Sequence, residues 1–162
     1  MNALRTASHA FIRHGSLRVE ASLNRDFELA KKYLDADSVE RGLFERLEDS
    51  RTRTFTMRTE HRNNDRFDPN DDTIWWDPTS ALRTTSGGAQ SPALGLGHEV
   101  DHAVERPSRE TQLSSRRVAR YDTAEEERVI RGSETHAART LGEAVRYDHD
   151  GRCFRVASPT AR

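Results

Sequence analysis

The segment "LGLGHEVDHAVE", Leu94 to Glu105, carries His98, Glu99 and His102 in the spacing H-E-x-x-H. On an α-helix, residues four apart lie one above the other, so both imidazoles would aim at a single point. That is the arrangement two corners of a zinc tetrahedron require. Glu99 is turned about 100° from His98 by the helical period, which puts its carboxylate beside such an ion rather than on it. From there it can hold a water molecule and accept its proton. Leu94, Leu96, Val100 and Ala103 make the helix small-sided and apolar, and hence buried. Two histidines and a glutamate inside a buried helix are costly without a partner, and Zn2+ is the expected one. The competing reading is a solvated helix with two incidental histidines.

A catalytic zinc takes three protein ligands and keeps a fourth position for water. The metzincin extension fails here, because Glu105 stands where that pattern has glycine and Ser108 where it has histidine. Carboxylates of a later helix remain: Glu125, Glu126, Glu127 and Glu134. Val129 and Ile130 mark the inward face of that helix; Glu126 shares it and Glu127 points away. Glu126, 24 residues after His102, is therefore the favoured ligand. Glu125 is a positioning partner that could exchange roles with it. Glu134 is the rival, on one face with Ala137, Ala138 and Leu141. "TAEE", Thr123 to Glu126, also reads as a capping box, the purely structural account of Glu126. Arg146 and Tyr147, with Tyr121 and His136 behind them, are the candidates for stabilising a developing oxyanion. His9, His14, His61 and His149 have no ligand spacing.

Positioning these side chains is the task of a 162-residue chain, enough for one modest core. Hydrophobic residues make up 33% and charged residues another 33%, so the surface is extensive relative to the core. Charges nearly cancel at a net −1, and acidic residues are interspersed throughout, which argues against nucleic acid or membrane as partner. Cys153 is the only cysteine, excluding intrachain disulfides and cysteine-rich metal clusters. No signal-peptide core and no transmembrane run is visible.

Residues 1–162 read as a single α+β domain, with 1–16 expected to be disordered. A strand is predicted at "SLRVEAS", with Leu17, Val19 and Ala21 on one face, followed by a helix from an Asn24 cap with Phe27, Ala30 and Leu34 inward. Ser38 is the expected cap of a second helix burying Val39, Leu43, Phe44 and Leu47. "RTRTFTMRTE" and "TIWWDP" read as two strands of a hairpin joined by a long polar connection, giving a small antiparallel sheet. The first of them is placed along the cleft, where it could pair with an extended substrate. "TSALRTTSGGAQSP" reads as a flexible loop. Pro92 starts the H-E-x-x-H helix, which stops before Pro107, and a helical pair spans "TAEEERVIRG" and "SETHAARTLGEAVR". The tail is irregular or a terminal strand.

"SPALGLGHEVDHA" followed by "EEERVIRGSETHAARTLGEAVRYDH" resembles the NleD-like zinc metallopeptidase effectors and the related toxin tips of bacterial Rhs and VgrG proteins. The likeness extends loosely over Leu17 to Pro159 and tightly only over the H-E-x-x-H and E-E-x-x-V pieces. It implies a zincin-like fold, with His98, Glu99 and His102 carrying the site and a glutamate of the Glu125–Glu126 pair as third ligand. It further implies an endopeptidase delivered into a target cell by a specialised secretion system, a protein substrate, and a cognate immunity protein. The chain would then be the end of a larger delivery protein or a whole effector. The alternative is a non-catalytic, zinc-stabilised protein-binding module.

Overall fold

The computed structural model describes residues 10–162. The chain opens with a hairpin, β1 (Phe11–His14) and β2 (Leu17–Glu20). Of the stretch expected to be disordered, residues 10–16 are thus ordered, β1 being held by pairing with β2; residues 1–9, with His9, lie outside the described residues. Two helices follow, α1 (Asn24–Leu34) and α2 (Ser38–Glu48). The α1 cap position is Leu23, not Asn24, because the Asn24 side chain is engaged by His14 Nε2 at 2.7 Å. Asp37 rather than Ser38 caps α2, its carboxylate accepting the amides of Val39 and Glu40 at 2.9 and 3.0 Å. Leu43, Phe44 and Leu47 are buried as expected, whereas Val39 sits on the outer side and is 38% exposed.

Next come β3 (Phe55–Thr59), β4 (Arg66–Asp68) and β5 (Thr73–Trp76). The sheet order is β1-β2-β3-β5-β4, with β2/β3 and β3/β5 parallel and the outer pairs antiparallel. The sheet is therefore mixed, not antiparallel, and β3 and β5 do not form a hairpin. The polar connection is long enough to cross over and insert β4, which takes the antiparallel place beside β5 and becomes the edge. Leu17, Val19, Phe55, Met57, Ile74 and Trp76 point to the helical side and are fully or almost fully buried.

The segment expected to be a flexible loop is the hairpin β6 (Ser80–Thr84) and β7 (Ala89–Gln90), turned by Gly87 and Gly88 at φ 92° and 82°. These positive dihedrals suit glycine, so the glycine pair that suggested a loop in fact closes a turn. Helix α3 (Pro92–Val104) carries the motif; Ser91 caps it at 3.2 Å from the Leu94 amide and Pro92 occupies its first turn. Only Gly95 and Val104 along α3 escape full burial, because α1, α2, both sheets and the later helices pack around it.

Helix α4 (Pro107–Ser114) and the short pair β8 (Arg117–Val118) and β9 (Asp122–Thr123) fill the polar segment. The helical pair is α5 (Ala124–Val129) and α6 (Thr135–Leu141), joined across a kink over Ile130–Glu134 at Gly132, with α6 stopped by left-handed Gly142. The final strand β10 (Gly151–Arg155) pairs with β6, completing a second sheet in the order β10-β6-β7. Among the described residues no helix is long and apolar enough to cross a membrane.

Candidate metal centre

His98 and His102 lie on successive turns of α3 and present their Nε2 atoms to one point, 3.0 Å apart. The Glu126 carboxylate, from the first turn of α5, closes the triangle at 3.1 Å from His98 Nε2 and 3.2 Å from His102 Nε2. The three form a group that could hold a metal ion. The spacing supports this directly: donors bound at about 2.0–2.1 Å in a tetrahedron sit about 3.3 Å apart. Two imidazole nitrogens facing each other over a carboxylate want a cation between them, and a mixed N and O donor set suits a borderline divalent ion.

The other ring nitrogens are also secured. His98 Nδ1 meets Glu134 at 2.7 Å and His102 Nδ1 meets Glu125 at 3.1 Å. Each of these carboxylates is gripped by an arginine. Arg146 donates to both oxygens of Glu134 at 2.7 Å, and Gln90 adds a further donor at 2.9 Å. Arg128 donates to both oxygens of Glu125, at 3.0 and 2.5 Å, and also to Asp101 on α3 at 2.7 Å. Two Arg–Glu–His chains therefore fix both rings from behind, the arrangement that orients metal-binding histidines.

The three candidate glutamates thus occupy three stations: Glu126 faces the ion position, while Glu125 and Glu134 each hold a histidine. Thr123 does cap α5, 3.2 Å from the Glu126 amide, yet the Glu126 side chain turns to the histidines instead of back to the cap.

Electrostatics agrees. Burial opposes charge on both imidazoles, but the carboxylate hydrogen bonds outweigh it and lift His98 to about 9 and His102 to about 10. Against the same burial, their histidine partners draw Glu125 and Glu134 down to about 2 and Glu126 well below the usual carboxylate range. The centre is built around positive charge.

Glu99 is 8% exposed and lines two adjoining cavities of about 280 and 270 Å³. Both cavities also touch Asn64, Asp65, His98 and His149. The strand bordering the second is β4, through Arg66 and Phe67, whereas β3 lies inside the sheet between β2 and β5 and has no free edge.

The oxyanion candidates are dispersed. Arg146 is buried and committed to Glu134. Tyr147 is 58% exposed and, like Tyr121, lines neither cavity. His136 binds Asp37 at 2.6 Å, at the capped end of α2. His149, which spacing did not single out, stands at the rim of the centre instead: Nε2 is 3.4 Å from Glu126, and Nδ1 is held by Asp122 at 2.8 Å. The loop before β10 brings it there, and nothing local in "RYDHDG" signals it.

The chain matches no protein family, no curated protein and no solved structure.

Proposed function

We propose that this protein is a zinc-dependent endopeptidase of zincin-like fold, with His98, His102 and Glu126 as the ligands and Glu99 as the general base. The observation carrying the reading is the convergence of His98 Nε2, His102 Nε2 and Glu126 within ligand spacing, with each imidazole anchored from behind by its own arginine-clamped carboxylate. A bound Zn2+ would supply Lewis-acid polarisation and lower the pKa of a water in its fourth position.

The chain's own groups do the rest. Glu99, open to both cavities, takes the proton from the water attacking the peptide carbonyl and returns it to the leaving amine. His149, oriented by Asp122, replaces Arg146 and Tyr147 as the donor for the developing oxyanion. Edge strand β4 replaces β3 as the strand along which an extended substrate can lie. The family resemblance extends the proposal to a secreted effector or toxin delivered into a target cell, acting on its proteins and restrained by a cognate immunity protein.

Glu99→Gln tests the chemistry. The variant retains one zinc per chain by elemental analysis and loses proteolysis by about 10²–10⁴-fold. Wild-type cleavage by Glu99→Gln sinks the assignment.

A second reading rests on His149. Were its Nε2 a fourth ligand, the centre would be closed and the protein a zinc-stabilised binding module. Chelation would then unfold the chain, and His149→Ala would lower metal affinity as strongly as His98→Ala.

A further inference from the structure

Within the peptidase reading, the charges around the cleft leave two carboxyls besides Glu99 without an ion pair among the described residues. One is Glu110 on α4, which accepts the Ser114 hydroxyl at 2.6 Å and lines only the smaller cavity; the other is Asp65, which lines both. Arg146 offsets Glu134, and Arg128 is shared between Glu125 and Asp101. A divalent cation would be offset by Glu126 and Glu99. Asp65 has no such counterpart, since none of the ion pairs among the described residues involves it and neighbouring Arg66 is taken by Glu60 at 2.8 Å.

The placement of Asp65 is specific. Its Oδ1 accepts the Asp77 amide at 2.8 Å, which pins the side chain. Its Oδ2 faces Gly95 on α3, one turn before Glu99, where the absent side chain leaves the approach open. Asp65 borders both cavities that flank Glu99. Around it the larger cavity offers Asn63, Asn64 and Ser80 as polar neighbours for a cationic head group, and Leu82 and Cys153 against which the methylene stem of a lysine or arginine can pack.

We propose that Asp65 is the specificity-determining residue of this cleft, and that the substrate places a lysine or arginine side chain against it, next to the bond to be cleaved. Burial, with Glu99 nearby, pushes the free carboxyl up to about 8, so an arriving cation restores the charge that the empty cleft suppresses.

The test uses the zinc-loaded protein and a mixed peptide library read by mass spectrometry. Cleavage sites should be enriched in Lys or Arg within one residue of the broken bond. On a single lysine peptide, Asp65→Asn should raise KM about tenfold with little change in kcat, while the norleucine analogue of that peptide shows no difference between the two proteins. Asparagine keeps the bond to the Asp77 amide, so the fold is retained. Binding gives a second readout: Glu99→Gln should hold the fluorescein-labelled lysine peptide about tenfold tighter than its norleucine analogue, a preference erased by adding Asp65→Asn. A library cut without basic enrichment, or an Asp65→Asn protein that keeps the lysine preference, overturns the inference and leaves the peptidase reading standing. A library left whole overturns both.

Discussion

Helix α3 has two polar sides with opposite solutions to the same problem. Toward the cleft, His98 and His102 are matched atom for atom by Glu125, Glu126 and Glu134, with Arg128 and Arg146 behind them. Toward α2, Glu40 is fully buried against Gly97, and neither of its oxygens has a hydrogen-bond partner among the described residues. On the first side every charge is compensated by geometry. On the second, burial together with Asp101 and Asp37 pushes Glu40 up to about 8, so a proton does what no neighbour does. The contrast shows where this helix retains buried charge: where a neighbouring side chain compensates it, as at His98, His102 and Asp101, and not where none does, as beside Glu40.

The largest way to break the contrast is Glu134→Ala. It leaves the Arg146 guanidinium buried and unpaired and frees the His98 ring, costing about 3–5 kcal/mol of stability and about 10–100-fold in zinc affinity. Denaturant unfolding and metal competition measure the two losses separately. Glu40→Gln sharpens the contrast from the other side. Because the folded Glu40 value lies above the ordinary 4.5, its favourable contribution is complete below that pH and is lost as pH rises toward about 8. In that window wild-type stability falls by up to ~1.4 kcal/mol per pH unit relative to Glu40→Gln, and the two should converge near pH 4. Parallel stability–pH curves would show that Glu40 is ionised in the fold. The smallest effect is Gly97→Ala. A Cβ there would stand 2.3 Å from Glu40 Oε2, an overpacking cost of about 1–3 kcal/mol, offset by roughly 1 kcal/mol of helix propensity. A net loss near 1 kcal/mol is expected in thermal unfolding, relieved when Glu40→Ala is added.

What the sequence disclosed follows from the helical period. His98, Glu99, His102 and Glu126 were legible because four-residue spacing and an apolar stripe fix which side chains share a face. Glu125 as a positioning partner was legible too, but that Glu134 is a second one, and which histidine each holds, was not, since this depends on which arginine reaches each carboxylate. Asp65 and His149 come from loops placed only by tertiary packing. The sheet was read least well. Its strands are three to five residues long, and neither the polar connection that inserts β4 nor the β2–α1–α2–β3 crossover carries a local mark of its pairing. Gly87–Gly88 was a true turn signal, but β7 is only Ala89–Gln90 and the run Thr84–Ser86 before the turn resembles loop.

The kink at Ile130–Glu134 makes the segment sensitive to its length. Gly132 leaves helical geometry there at φ −95°, ψ −110°, and the helix resumes displaced. In an unbroken α-helix Glu126 and Glu134 would differ by about 80° and lie about 12 Å apart along the axis, yet here both reach the ring of His98. Deleting one residue there would shift Glu134 by one position relative to α5 and draw it off His98 Nδ1. Between Val129 and Thr135 the number of residues thus matters to the centre more than the identity of most of their side chains.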